Sequence, residues 1–106
     1  MSHLSILACQ INIPAITTMA DRNAHLANTA AKIDAELSRS PTDLVVLPEL
    51  ASIDYARTTF ENLASLAEPL DGISHQTWAT LAQKHTCHIT YNFARTDGTA
   101  AYICAA

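Results

Sequence analysis

Apolar positions in this chain fall at two spacings, and their succession outlines a fold. Residues 4–11 form a short run of β-branched and apolar side chains. Both alternating faces of that run are largely hydrophobic, the pattern of a strand covered on both sides. Pro14 breaks it. Leu26, Ala30, Ile33 and Leu37 then recur along one face of a helix. Asp21 stands where its carboxylate can accept the unpaired amides of the first turn. Ser40-Pro41 ends the helix, because the residue before a proline avoids the helical region. Leu44, Val45, Val46 and Leu47 make a compact run typical of a central parallel strand. Strand, helix, strand in this order predicts a right-handed crossover between parallel neighbours. Pro48 closes the second strand and leaves Glu49 just beyond its carboxyl end.

Further along, Thr58 and Glu61 have the spacing of a capping box. Phe60, Leu63 and Leu66 supply the apolar face of the helix it would open, and Glu68-Pro69 ends that helix. Ser74 or Thr77 can start another, carrying Trp78, Leu81 and Ala82 to about His85. Residues 88–93 predict a strand with Ile89, Tyr91 and Phe93 on one face. Residues 99–104 predict its hairpin partner, after the turn pair Asp97-Gly98. Alternating strands and helices define the α/β class. The last strand has barely formed when the sequence stops, so the expectation is the front portion of a larger architecture.

Composition narrows the function classes. A chain of 106 residues allows one domain. With 49% hydrophobic and only 15% charged residues it is too apolar to be disordered. Six Lys and Arg against ten Asp and Glu give a net charge of −4. That surface repels phosphate backbones and anionic lipid, so neither nucleic acid nor a membrane surface is an expected partner. No apolar run approaches the ~18 residues of a membrane span. The leading segment, Met1 included, carries no Lys or Arg and does not read as a signal peptide. Cys9, Cys87 and Cys104 are an odd number at unrelated spacings. That is not a disulfide framework, and it points to a reducing, cytoplasmic setting.

Few residues stand out chemically. In open α/β sheets, working groups gather outside the carboxyl ends of the strands, which is where Glu49 falls. On position alone an ordinary solvated loop glutamate would look the same. Tyr55 and Asp54, in the loop that follows, are candidates to line a pocket. Lys84 precedes Cys104, but Lys84 sits where a cation offsets a helix dipole. Cys104 lies inside a predicted strand rather than on the exposed turn a nucleophile needs. Lys32 reads as a surface charge, Cys9 and Cys87 as small buried hydrophobes, and Trp78 as core. His85, Cys87 and His88 could begin a metal site. They span a helix-to-strand junction that should make them diverge, and His3, His25 and His75 offer no recognisable ligand spacing. Neither a metal nor another cofactor is expected.

Residues 43–50, with Glu49 after Leu47-Pro48 and Tyr55 following, resemble the segment around the catalytic glutamate of the nitrilase-like carbon–nitrogen hydrolases. The flanks agree: a first strand with Gln10, a first helix from Asp21 to Leu37, Glu68-Pro69-Leu70-Asp71-Gly72, a helix around Leu81, and Tyr102. Asn92 stands where the family usually has glycine, and Ile103 where asparagine commonly follows the tyrosine. The resemblance covers essentially the whole chain, but only the front portion of a family domain. It implies a partial αββα sandwich: one mainly parallel sheet with helices on one face and the second sheet layer largely missing.

It also implies a Glu-Lys-Cys triad acting on amides, nitriles or carbamoyl compounds. In such a triad a buried carboxylate takes the thiol proton. Glu49 carries over as the general base; Tyr55, from its place in the following loop, is the candidate substrate-binding residue, with a packed loop aromatic as the alternative. The lysine and the nucleophilic cysteine have no counterparts here, so the chain alone is expected to be inactive. Its expected partners are a small amide or nitrile substrate if completed, and a second copy or a complementing chain on an open sheet face. Two other readings stay open from the residues themselves. One is a non-enzymatic α/β interaction or ligand-binding module, and the other is a metal or thiol redox protein built on His85, Cys87 and His88.

Overall fold

Nine elements follow one another in the computed structural model, which describes residues 2–106; Met1, part of the leading segment considered above, lies outside them. They are β1 (Ile6–Ala8), α1 (Met19–Arg39), β2 (Leu44–Val46), α2 (Arg57–Glu61), α3 (Leu63–Leu66), α4 (Ile73–His85), β3 (His88–Thr90), β4 (Asn92–Thr96) and β5 (Ala101–Ala105). The first three strands form a parallel sheet in the order β1-β2-β3, with β2 central. Leu7, Val45 and Ile89 lie in one register row. The last two strands make a separate antiparallel hairpin. The class is α/β, with helices on one face of a mainly parallel sheet.

That row faces the helices. Val45 is fully buried, and Leu7 and Ile89 pack with it against Leu26, Ile33 and Leu37 of α1 and Trp78 and Leu81 of α4. Strand side chains alternate, so Ile6, Leu44 and His88, then Ala8, Val46 and Thr90, point the other way. No layer covers that face among the described residues, and Ile6 is 54% exposed. The expectation of a first strand covered on both sides is thereby corrected. β1 has three residues, lies at a sheet edge, and buries one face only. The accessible surface of 6371 Å² exceeds the roughly 5,800 Å² expected of a closed monomer of this mass. The missing cover is visible in that excess.

Three local expectations shift when the third dimension is added. Thr18, not Asp21, caps α1. Its hydroxyl accepts the Asp21 amide at 3.1 Å, while the Asp21 carboxylate accepts the Thr18 amide at 3.1 Å. This is a capping box with aspartate as the returning acid. Thr58 and Glu61 do not form one. α2 starts after Ala56, and Glu61 instead accepts from Arg57 Nε at 3.0 Å. The single strand expected over residues 88–93 divides at Tyr91. β3 stays with β2, while the Tyr91 amide turns to the carbonyl of Ala106 at 2.9 Å and β4 joins the hairpin.

α4 begins at Ile73, after Gly72, slightly ahead of the expected start. Its first turn is held by an acid from outside the helix. The buried Glu68 carboxylate accepts the Ser74 amide and the Ser74 hydroxyl, each at 2.6 Å. A Cβ on Gly72 would come within 2.9 Å of Glu68 Cβ, so glycine is what lets the acid approach the turn. At the far end of α4, Lys84 Nζ reaches Asp34 of α1 at 2.9 Å and His85 Nε2 reaches it at 2.6 Å. Those bonds tie the two long helices together. Among the described residues no helix is long and apolar enough to cross a membrane.

Candidate active site

The chain leaves β2 through Leu47, whose amide donates to the Thr90 carbonyl at 3.1 Å, and then meets Pro48. Proline cannot extend a ladder, so the strand stops and Glu49 emerges at the carboxyl edge of the sheet. Leu50 adopts φ 49°, a left-handed conformation that costs a non-glycine residue roughly 1–3 kcal/mol. Full burial of the Leu50 side chain beside Ile16, Ile53 and Leu66 offsets that cost. The sharp turn sends the following segment down into the protein, so that Leu50, Ala51, Ser52 and Ile53 are all buried. Glu49 and Tyr55, at the two ends of the buried stretch, remain exposed.

Two anchors hold this loop, and a further bond fixes the helix beyond it. His25 of α1 donates through Nε2 to the Ala51 carbonyl at 2.8 Å. Asp54 Oδ1 accepts the Ile16 amide at 3.1 Å and also meets the Thr59 hydroxyl. Arg22, buried one turn before His25, donates to the Leu66 carbonyl at 2.7 Å and fixes the end of α3. Read from sequence, His25 is weighed only as a metal ligand and Arg22 is not singled out. A signal exists, since they share the α1 stripe of Leu26, Thr29 and Ile33. Polar side chains on an apolar stripe need a buried acceptor. Asp54 is a fastener of the loop rather than an exposed pocket wall.

At the surface the loop ends meet. The Tyr55 hydroxyl donates to Glu49 Oε1 at 2.7 Å. The Tyr55 ring tilts against Phe60 with centroids 6.0 Å apart. The phenol is pushed above its ordinary value, first by its hydrogen bond to Glu49, then by burial and by the carboxylate charge. Among the described residues Glu49 Oε2 has no hydrogen-bond donor. The buried carboxylate that the resemblance implied is exposed here, because none of the described residues covers it at the carboxyl edge of the sheet. A cavity of about 730 Å³ lies elsewhere, between the segment leaving β1 and the face of α1 bearing His25, Asn28 and Lys32, and neither Glu49 nor Tyr55 lines it.

Lys84 and Cys104 are not brought to Glu49. Lys84 is engaged by Asp34 near the end of α4, which leads into the amino end of β3. Because the sheet is parallel, that is the edge opposite Glu49. Cys104 pairs with Phe93 inside the hairpin and packs against the core. Burial pushes the Cys9 and Cys87 thiols up, which makes both less reactive. His85, Cys87 and His88 diverge as expected: His85 joins Asp34, Cys87 packs against the core, and His88 is exposed. No group of three or more His, Cys, Asp or Glu side chains among the described residues could hold a metal ion. Asn92 is half-buried in β4, and Ile103 is 57% exposed on β5.

Acid should loosen this arrangement. Burial pushes the Asp54 carboxyl up, but hydrogen bonds from Thr59, Ile16 and the loop backbone outweigh it and hold the group below the ordinary range. Asp21, Asp34 and Asp97 are also lowered, led by bonds from Thr17, His85 and Ala100 respectively. A carboxyl lowered by folding stabilises the native state above its unfolded value and loses that stabilisation as pH falls through the folded value. Urea midpoints should therefore stay level from pH 7 to 5 and drop below about pH 4. Asp54→Asn should lower the midpoint at pH 7 and make the acid drop shallower. An unchanged profile in that variant would remove Asp54 from the set.

An α/β half-layer with an acid beyond the carboxyl end of its central strand belongs to the class of sheet-edge sites. The family model described as carbon-nitrogen hydrolase matches residues 6–105, and the chain belongs to that family. Its fold is similar to that of XC1258 from Xanthomonas campestris, a CN-hydrolase superfamily protein solved with an arsenic adduct in its active site. The two superpose with a TM-score of 0.66 at 19% identity, over 96% of this chain and 35% of that one. The chain thus spans about a third of the relative's length. No curated protein matches the sequence.

Proposed function

We propose that this chain supplies the general-base portion of a carbon–nitrogen hydrolase acting on small amides or nitriles in the cytoplasm. The lysine and the cysteine come from a segment outside these residues. The observation that carries the reading is Glu49. It stands at the carboxyl edge of the central strand with one oxygen free, in a chain that matches the family from residue 6 to 105. When the completing segment covers the edge, the Glu49 carboxylate accepts the proton of its thiol. The thiolate adds to the carbon bonded to nitrogen, and the lysine ammonium stabilises the charge that develops. With an amide, the amine leaves with a proton returned by Glu49, and a thioester remains. With a nitrile, the proton returns to nitrogen and the adduct is a thioimidate, which a first water, deprotonated by Glu49, converts to the thioester as ammonia leaves. Water deprotonated by Glu49 then releases the acid and restores the thiol. Tyr55, exposed beside Glu49, lines the substrate pocket.

The same reading accounts for the uncovered face of Ile6, Leu44 and Val46 as the surface on which the completing segment packs. The test is complementation. The chain alone should release no ammonia from a panel of short amides and nitriles. Mixed with a polypeptide carrying the family's lysine and cysteine, it should do so, with the rate saturating in either component. Turnover by the chain alone would overturn the proposal. The 730 Å³ cavity beside α1 favours a second reading, a ligand-binding module without catalysis. Ligand binding there together with no rescue in the mixture would select it.

A further inference from the structure

We infer that Tyr55 is a positioning residue for Glu49: its hydroxyl fixes the carboxylate so that Oε2 faces the reacting atoms while Oε1 is occupied. The inference rests on the function proposed for Glu49, and it adds a role for the Tyr55 hydroxyl distinct from lining a pocket. A glutamate at an exposed strand end has three soft torsions and would sample many rotamers. Here one carboxylate oxygen is held by the phenol at 2.7 Å, a charge-assisted bond of good length. The ring that carries the hydroxyl is itself restrained by Phe60. Asp54, next to it in sequence, is anchored by Ile16 and Thr59. On the other side, the left-handed Leu50 and its buried side chain set the direction in which Glu49 leaves the backbone.

Both ends of the Glu49–Tyr55 contact are therefore tied to the core independently, and only their side chains meet outside it. A loop that merely packed would not need its two exposed ends to close on each other. Fixing the base in advance matters for rate, since an acceptor displaced by about 1 Å can cost a hundredfold. The free oxygen then acts on the thiol and later on water without a search over rotamers.

The experiment uses the 106-residue chain alone, so it does not depend on complementation. Side-chain three-bond couplings of Glu49 should report one dominant rotamer in the native chain and averaging in Tyr55→Phe, which keeps the ring on Phe60. With tyrosine labelled at the ring carbon bearing oxygen, the Tyr55 ionisation midpoint should fall in Glu49→Ala. The Tyr91 midpoint, which Glu49 does not influence, should stay where it is. Averaged Glu49 couplings in the native chain, or a Tyr55 midpoint indifferent to Glu49→Ala, would overturn the inference while leaving the general-base proposal standing. In the completed enzyme Tyr55→Phe should lower kcat roughly ten- to a hundredfold with KM nearly unchanged. A change confined to KM would assign the hydroxyl to substrate contact instead and would equally overturn it.

Discussion

Glu49→Gln should abolish carbon–nitrogen bond cleavage by the completed enzyme, at a cost of about two to four orders of magnitude in kcat, and leave the fold untouched. The two halves of that expectation have separate grounds. Structurally, Glu49 is exposed, and its side chain bonds to Tyr55 alone among the described residues. An amide has the same shape and its oxygen still accepts from the phenol, so stability should change by no more than about 0.5 kcal/mol. Chemically, an amide cannot take a proton from a thiol or from water near neutral pH, so in the proposed mechanism both the attack and the hydrolysis of the intermediate would lose their base. The measurement pairs a thermal melt with kcat and KM on the complemented enzyme. Full activity in the Gln variant with an unchanged melt would show that another group moves the proton.

What the sequence made legible and what it hid divide along a physical line. Patterns that depend on neighbours along the chain were readable. The stripe of Leu26, Ile33 and Leu37, the run Leu44 to Leu47, the stop at Pro48 and the turn at Asp97-Gly98 all appear where expected. Features set by distant partners were not. Thr58 and Glu61 have the right spacing for a capping box, yet Arg57 takes the glutamate and the chain enters the helix at Ala56. Tyr91 has no local signal for leaving its strand; the hairpin beyond it creates the acceptor at Ala106. Glu68 reads as the end of one helix and turns out to hold the start of the next through Ser74.

The site follows the same division. The place of Glu49 just beyond the carboxyl end of β2 was legible because strand, proline and acid are contiguous. The fastenings of its loop were legible only in part: His25 stands on the α1 stripe, but nothing local marks Ala51 as its partner, or Ile16 and Thr59 as the partners of Asp54. The exposure of Glu49 has a related cause. A resemblance to a whole domain implies burial that only the rest of such a domain supplies, and this chain matches 35% of the relative's length.

That open architecture makes the core unusually sensitive, and Trp78→Ala should show it. Trp78 is 2% exposed on α4, in the cluster formed by Leu26, Ile33 and Leu37 of α1 with Val45 and Phe93. Removing a buried indole forfeits its transfer energy and leaves a cavity that the flanking helices can only partly close, at a cost of about 3–5 kcal/mol. A domain of ordinary size has about 5–15 kcal/mol of total stability. This one covers a single face of its sheet and leaves Ile6 and Leu4 in water, so its margin belongs at the low end. Trp78→Ala should therefore abolish a cooperative thermal transition or lower its midpoint by at least about 12 °C. Trp78→Phe, which retains most of the volume, should lower it far less. The two variants are compared by far-UV circular dichroism, because the mutation removes the protein's one tryptophan and with it the fluorescence probe. If covering the open face is what the fold lacks, the completing segment should raise the Trp78→Phe midpoint and the native one together. A native midpoint indifferent to that segment would mean that the half-layer is stable without its cover, and that the uncovered strands serve some other contact.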